Sequence, residues 1–330
     1  MRDIVINGRF LSRPVTGVER YGREILAFIG NRSRVEQTRM NGMRGHLWEQ
    51  FILPKKLRIN SILWSPANTG PLLVRDQALT IHDLSPLEHP EWFQKSFAVW
   101  YRLFLPILAK RVRVVFTPSN TVKQKVMKRF RIENVIVTPN GVNPSCFHLD
   151  VQQCMDSLPS RYILFVGSLQ PGKNLQTLLN AWNVIQDDYP DLWLVIVGQH
   201  RSIFRKVEFT ASKRILYLGY VEESELPGLY SRATLFVLPS FDEGFGLPSL
   251  EAMACGTPVV VSDGGALPET IEDAGLIFRT LDVNDLALAM KQCLENHNLC
   301  MSLVAKGLER VKKFSWQTSA ELIWNTLNET

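Results

Sequence analysis

What most constrains this chain is an alternation that runs almost its whole length: short apolar runs of strand size, each followed by a stretch with helical spacing. In the first half, residues 3–7 read as a strand, 17–28 as a helix, 78–82 as a strand, 93–108 as a helix, 112–117 as a strand, 122–130 as a helix and 135–138 as a strand stopped by Pro139-Asn140-Gly141. The second half restarts the pattern, with strands predicted at 162–166, 192–197, 215–218, 235–237 and 258–261. Helices are predicted there at 174–185, 223–230, 248–254, 268–272, 285–295, 304–313 and 316–325. Strands separated by helical segments imply mainly parallel sheets. The fold class expected is therefore α/β, with two doubly wound domains facing a cleft at the carboxyl ends of their strands. Residues 143–160, with Pro144 and Pro159, read as the link between them. Residues 31–48 are polar, carry Arg32, Arg34, Arg39 and Arg44, and are expected to form a loop.

Charge is unevenly spread. Residues 1–155 hold 23 Lys or Arg against 11 Asp or Glu, and residues 156–330 hold 14 against 21. A basic first half suits an anionic surface; a solvated charged face is the plainer reading. No aromatic–basic module points to nucleic acid. The five cysteines form no CxxC pair and read as reduced thiols. The run 96–109 is interrupted by Arg102 and Pro106 and is too short to span a bilayer. These features predict a soluble or peripheral, cytoplasmic protein.

The chemistry concentrates in Phe241-Asp-Glu-Gly-Phe-Gly-Leu-Pro-Ser-Leu-Glu251, a glycine-broken turn between a strand and a helix with carboxylates eight residues apart. Amides at the helix start can face a phosphate. Glu251, about one turn in, suits the diol of a ribose, and Glu243 suits the hydroxyls of a transferred sugar. Gly244 and Gly246 permit close approach of an anion, and Pro248 needs no N–H at the helix start. Lys173, in Gly167-Ser-Leu-Gln-Pro-Gly-Lys173, can neutralise a departing diphosphate. Gly17 opens the first helix, where its amide can meet the distal phosphate. His82 ends a strand and can donate to the sugar or orient the acceptor. Gly198 can admit the nucleotide to the backbone; Tyr220 and Val221 can present main chain to a base, with Leu226 lining its slot. For the acids the plain alternatives are a dipole-stabilising helix glutamate and a surface loop acid; Lys173 could be a solvated helix-start lysine, His82 a structural histidine and Leu226 core. No spacing suggests metal ligands, and there is no Asp-x-Asp.

With these motifs the chain resembles glycosyltransferase family 4, retaining enzymes of the two-domain GT-B fold. The likeness runs through 241–251, Gly256-Thr-Pro-Val-Val-Val-Ser262 with Pro268-Glu269, Gly219-Tyr-Val221, Pro139-Asn-Gly-Val142, Ile81-His-Asp-Leu84 and Thr16-Gly-Val-Glu-Arg-Tyr21. His46-Leu-Trp-Glu-Gln50 and Leu53-Pro54 resemble the bacterial mannosyl- and rhamnosyltransferases of surface-polysaccharide assembly. The resemblance implies an acceptor-binding Rossmann-like domain at 1–155, a nucleotide-sugar-binding one at 156–310, and a helix at 311–330 returning to the first. It places Glu251 at the ribose, Glu243 with the amides of Gly244, Phe245, Gly246 and Leu247 at the hexose, Lys173 at the diphosphate and His82 beside the hexose. It implies no cofactor beyond the donor, GDP-mannose by preference with dTDP-rhamnose or a UDP-hexose as alternatives. The partner implied is a glycan or polyprenyl-linked oligosaccharide; the basic first half adds the expectation of a weak contact with an anionic membrane at the inner face of the plasma membrane. The family's second cation is missing, Ser168 and Gly172 standing at its usual places, with Arg201 or Arg205 as substitutes. Rival readings are a silent nucleotide-binding scaffold, a sugar-nucleotide epimerase and a nicotinamide dehydrogenase; against the last, residues 1–30 lack Gly-x-Gly-x-x-Gly.

Overall fold

The computed structural model describes residues 2–149, 158–205 and 213–329. Cys154 and residues 150–157 of the expected link at 143–160 lie outside the described residues. Two compact units are formed: Met1–Glu88 with Ser96–Gly141 and Ser315–Thr330, and His89–Lys95 with Val142–Phe314.

The first unit is built on β1 (Asp3–Asn7), β2 (Arg34–Glu36), β3 (Ser61–Ser65), β4 (Gln77–Thr80), β5 (Val114–Thr117) and β6 (Val135–Val137). They form one sheet in the order β2-β1-β3-β4-β5-β6, every pair parallel. The chain leaves β1 for β2 on one side and then crosses back to β3 on the other, so the strand order reverses at β1. The second unit repeats the plan with β7 (Tyr162–Val166), β8 (Trp193–Val197), β9 (Ile215–Gly219), β10 (Leu235–Leu238), β11 (Val259–Ser262) and β12 (Leu276–Phe278). Their order is β12-β11-β10-β7-β8-β9, again parallel throughout, with the reversal between β7 and β10. Helices cover both faces, and the central strands are correspondingly apolar along their length: Leu235–Leu238 is buried at every position. The architecture is the expected α/β pair of Rossmann-like sheets.

The helix Trp316–Glu329 packs on Gly17–Ile29 inside the first unit, where Trp316 meets Tyr21 edge-on at 5.8 Å and Ser319 donates to the Pro139 carbonyl at 2.6 Å. Gly141 lets this happen: a Cβ there would stand 2.8 Å from the Trp316 ring and closer still to its backbone nitrogen. Pro139-Asn140-Gly141 is thus the seat of the last helix.

Several elements escape the sequence pattern. Residues 31–48, expected as loop, include β2 and the helix Gly42–Leu47. β2 is a three-residue polar edge held by ion pairs, Arg34 with Asp3 at 3.2 Å and Lys56 with Glu36 at 2.7 Å, so it has no apolar alternation to read. β3 and β12 are also found where no strand was expected. The strand expected at 78–82 stops at Thr80, and His82 lies beyond it.

Candidate functional site

In an open parallel sheet, the loops after the two strands flanking a reversal splay apart and leave a crevice for ligands. In the second unit those strands are β7 and β10, and the sequence puts Lys173 after the first and Glu243 after the second. Their side chains meet: Lys173 Nζ forms an ion pair with Glu243 Oε1, which also accepts from Ser240 Oγ at 2.8 Å. The two loops are stitched beneath this pair, Asn174 Nδ2 donating to the Pro239 carbonyl at 3.0 Å and the Phe241 amide to the Gly172 carbonyl at 2.9 Å. A third loop, after β11, supports Glu243 from below, with the Ala266 amide on the Glu243 carbonyl at 2.8 Å. Gly264 is required there, since a Cβ would lie 2.5 Å from the Ser240 and Phe241 carbonyl oxygens. An acid and a cation are therefore held at one place by three loops, both partly accessible.

The helix Leu247–Ala254 starts directly after Glu243-Gly244-Phe245-Gly246. Gly246 turns the chain into it at φ +87°, in the left-handed region, with Leu267 packed where a Cβ would go. No side chain caps this helix start, an arrangement that lets first-turn amides meet an anion. Gly244 is half-exposed at the turn, whereas Phe245 and Leu247 are buried. The Phe245 ring packs edge-on against Phe314 at 5.4 Å, and its carbonyl accepts from Thr270 at 2.5 Å, so these two residues can serve a ligand only through their backbone. Glu251, one turn in and 2% exposed, accepts from the Tyr230 hydroxyl at 2.9 Å. Tyr230 therefore helps fix the orientation of the Glu251 carboxylate.

Of the residues expected at the base, Val221 and Leu226 are buried and Tyr220 is half-exposed beside Glu222. They follow β9, two strands from β7 and so about 10 Å across the sheet from the acid–lysine pair. Gly198 takes φ +138°, but what fills the space of its missing side chain is the Gly167 carbonyl. The glycine there is required by close approach of the protein's own backbone.

Gly172, where the family resemblance calls for a cation, is covered by an indole. A Cβ on Gly172 would stand 2.8 Å from Cε3 and Cζ3 of Trp92. Trp92 stacks between His89, at 3.9 Å between ring centroids, and Phe241, at 5.8 Å. The segment is tied down by the Arg205 amide on the Trp92 carbonyl at 2.9 Å and by the bridge Phe93–Phe204. Sequence reasoning had no means of finding Trp92 or Tyr230, because each meets the site through a partner more than twenty residues away; Ser240, three residues before Glu243, lay within the strand-to-turn segment and was passed over.

In the first unit, His82 follows β4 and is buried. Its Nε2 lies 2.8 Å from the Pro66 carbonyl, its amide donates to Asn68 Oδ1 at 2.8 Å, and its ring meets Tyr21 edge-on at 4.8 Å. Burial pushes its pKa down to about 4, against the opposing pull of the Pro66 carbonyl and Glu19. The ring is thus neutral near pH 7 with its proton on Nε2, where a carbonyl needs a donor, and Nδ1 is left as an acceptor. In this arrangement the Nε2 proton is engaged with the Pro66 carbonyl. Gly17 is exposed at the start of its helix, and a Cβ there would meet nothing within 4 Å. Its neighbour Thr16 hydrogen-bonds Glu19, which pairs with Arg13 at 3.7 Å.

His46-Leu-Trp-Glu-Gln50 is an anchor. Glu49 accepts from Asn7 at 2.7 Å, Arg9 at 2.9 Å and Thr69 at 3.0 Å, and Gln50 bridges to Gly70 and Leu72, pinning this segment to the carboxyl ends of β1 and β3. His46 packs beside Arg9, 3.0 Å from its guanidinium, and burial, then Arg9 and Arg13, push its pKa down to about 3. Among the described residues no group of three or more His, Cys, Asp or Glu is arranged to hold a metal ion. Cys255 and Cys293 are buried, which raises both thiols to about 12.

Two Rossmann-like units, with a lysine–glutamate pair at the reversal of the second sheet, define the GT-B fold of glycosyltransferases. Solved structures agree over the full chain: Anabaena HepE in complex with UDP-glucose aligns with a TM-score of 0.78 at 17% identity over 100% of both chains. Sucrose-phosphate synthase from Thermosynechococcus elongatus aligns with 0.77 at 18% over 100% of this chain and 99% of that one. A family model described as "Glycosyltransferase Family 4" matches residues 64–145 and one described as "Glycosyl transferases group 1" matches 157–310. Among curated proteins, the O-antigen chain mannosyltransferase B of Escherichia coli is 31% identical over 252 residues, covering 72% of this chain and 66% of that protein. The O-antigen chain mannosyltransferase RfbU of Salmonella typhimurium is 30% identical over 270 residues, covering 80% and 72%. The chain belongs to glycosyltransferase family 4. It matches only 32% of the length of the serotype-specific mannosyltransferase WbdA of Escherichia coli.

Proposed function

We propose that this protein is a retaining hexosyltransferase of surface-polysaccharide assembly, moving a mannosyl group from GDP-mannose to a glycan or lipid-linked oligosaccharide. The observation that carries this reading is the junction of Lys173 and Glu243 at the reversal between β7 and β10, just before the helix Leu247–Ala254 that carries Glu251. A diphosphate entering there would take Lys173 away from Glu243. That would release the glutamate to accept from hexose hydroxyls while the amides at the start of Leu247–Ala254 face the phosphates. Glu251, aimed by Tyr230, would receive the ribose diol. The mannosyl preference rests on the names of the relatives, and the lipid-borne acceptor on their role in O-antigen chains.

In the reaction the bond from the anomeric carbon to the phosphate oxygen breaks and the acceptor oxygen bonds to that carbon from the same face. The acceptor's proton passes to the departing phosphate oxygen. The protein's part is to stabilise the charge growing on the diphosphate, a task that falls to Lys173 and the helix amides. Trp92 over Gly172 leaves no room for a cation on that residue, so a second cation would have to come from elsewhere, Arg201 or Arg205 being the candidates.

The test is a panel of GDP-, UDP- and dTDP-sugars with lipid-linked acceptors, read by mass spectrometry and NMR beside Lys173→Ala and Glu251→Ala. One donor should give an α-linked product that both variants lose. A β-linked product, or a glycosyl–protein adduct trapped on turnover, would overturn the same-face mechanism. Turnover of donor without any acceptor would favour an epimerase.

A further inference from the structure

The helix Lys95–Arg111 is apolar on two sides. Ala98, Tyr101, Leu105 and Leu108 face the core of the first unit, yet Val99, Leu103 and Ile107 are each more than half exposed, Leu103 at 63%. Four-residue spacing puts these three on one stripe. A second stripe lies on the helical segment from Gly42 to Ile52, where Met43, Leu47 and Phe51 repeat the spacing and are also more than half exposed, Met43 at 69%. The two segments touch, the His46 and Trp100 rings lying 5.0 Å apart. Scattered exposed apolar side chains need no explanation, but two adjoining stripes make a continuous patch that a free soluble surface rarely carries.

The charges that flank both stripes in sequence are of one sign. Arg102, Lys110 and Arg111 flank the first stripe in sequence, and Arg39 and Arg44 the second; all five are exposed, and none is in an ion pair among the described residues. There is no acid between Glu36 and Glu49, which is itself buried on Arg9, and none between Glu91 and Glu133. An acid-free basic rim about an apolar stripe complements an anionic lipid interface, where the apolar side chains enter the acyl boundary and the cations meet headgroup phosphates. A protein partner would be expected to leave some acid in so long a stretch.

We propose that the first unit docks on an anionic phospholipid bilayer through this two-helix face. No helix among the described residues is long and apolar enough to cross a membrane, so the mode is interfacial. The proposal deepens the lipid-borne acceptor reading by naming the surface that would hold the protein at it. Its test needs neither donor nor acceptor, so it can fail or stand apart from that reading.

The experiment is flotation of the full chain with phosphatidylcholine vesicles, with and without phosphatidylglycerol, at low and physiological salt. Arg102→Glu with Lys110→Glu removes two exposed cations without touching the core, and Val99→Ser, Leu103→Ser, Ile107→Ser removes one stripe. Lys312→Glu on the second unit is the control. Binding should require phosphatidylglycerol, weaken with salt, and fall at least about tenfold in the charge variant, with melting temperature and nucleotide binding unchanged. Loss in the stripe variant should match. Equal binding to neutral vesicles, no binding, or a charge variant that binds as wild type would overturn the proposal. So would a wild-type dimer that the stripe variant abolishes, since the face would then belong to a second copy of the chain.

Discussion

Replacing Gly172 by alanine tests the claim that an aromatic ring holds the place of a cation. The new Cβ would stand 2.8 Å from two carbons of the Trp92 ring, where carbon atoms rest comfortably at about 3.5–4.0 Å. The ring cannot swing clear without unstacking from His89 on one side or Phe241 on the other, and its backbone is bonded to Arg205. An insertion of this kind destabilises by about 1–3 kcal/mol. Trp92→Ala alone should be worse, about 3–5 kcal/mol, because it empties a buried aromatic site. In the double variant the clash no longer exists, so its destabilisation should fall short of the sum by about 1–3 kcal/mol. Equilibrium urea denaturation of the four proteins measures the coupling. Additivity within about 0.5 kcal/mol would show that the ring does not press on Gly172, and the account of the missing cation would collapse with it. Gly172→Arg should likewise fail to tighten GDP binding in calorimetry until Trp92 is also removed.

Gly246→Ala must hold a Cβ at φ +87° against Leu267; it should cost about 1–2 kcal/mol of backbone strain with packing strain added, seen as a lower melting temperature together with weaker donor binding. Tyr230→Phe removes the donor to the buried Glu251 carboxylate and should lower stability by about 1.5–3 kcal/mol, with KM for the donor rising more than kcat falls; unchanged KM would detach Glu251 from the nucleotide. The depressed pKa of His82 means that the unfolded chain binds the extra proton first, so stability should be whole above about pH 6.5 and decline as pH falls toward about 4. This amounts to about 3 kcal/mol for a fully buried ring, and His82→Gln should flatten that part of the pH–stability profile. Glu243→Gln weakens the ion pair with Lys173 while keeping the shape, so GDP should bind at least as tightly while transfer slows; loss of GDP binding would contradict the exchange of partners proposed for Lys173.

The sequence by itself determined the repeating order of strands and helices, because a parallel sheet covered on both faces needs uniformly apolar strands and amphipathic crossovers, and both are local patterns. It also determined the turn at 241–251, whose glycine and proline act on the backbone within a few residues. β2 escaped because a polar edge strand is held by ion pairs from Asp3 and Lys56, and the seat of His82 because its partners come from the loop after β3. Only the tertiary structure decided that Lys173 meets Glu243, since that depends on β7 and β10 being neighbours. It alone decided that Gly198 is needed by the Gly167 carbonyl, that Gly172 lies under Trp92, and that Tyr230 holds Glu251. Each of these joins residues far apart in the chain, and no periodicity encodes which strand will lie beside which.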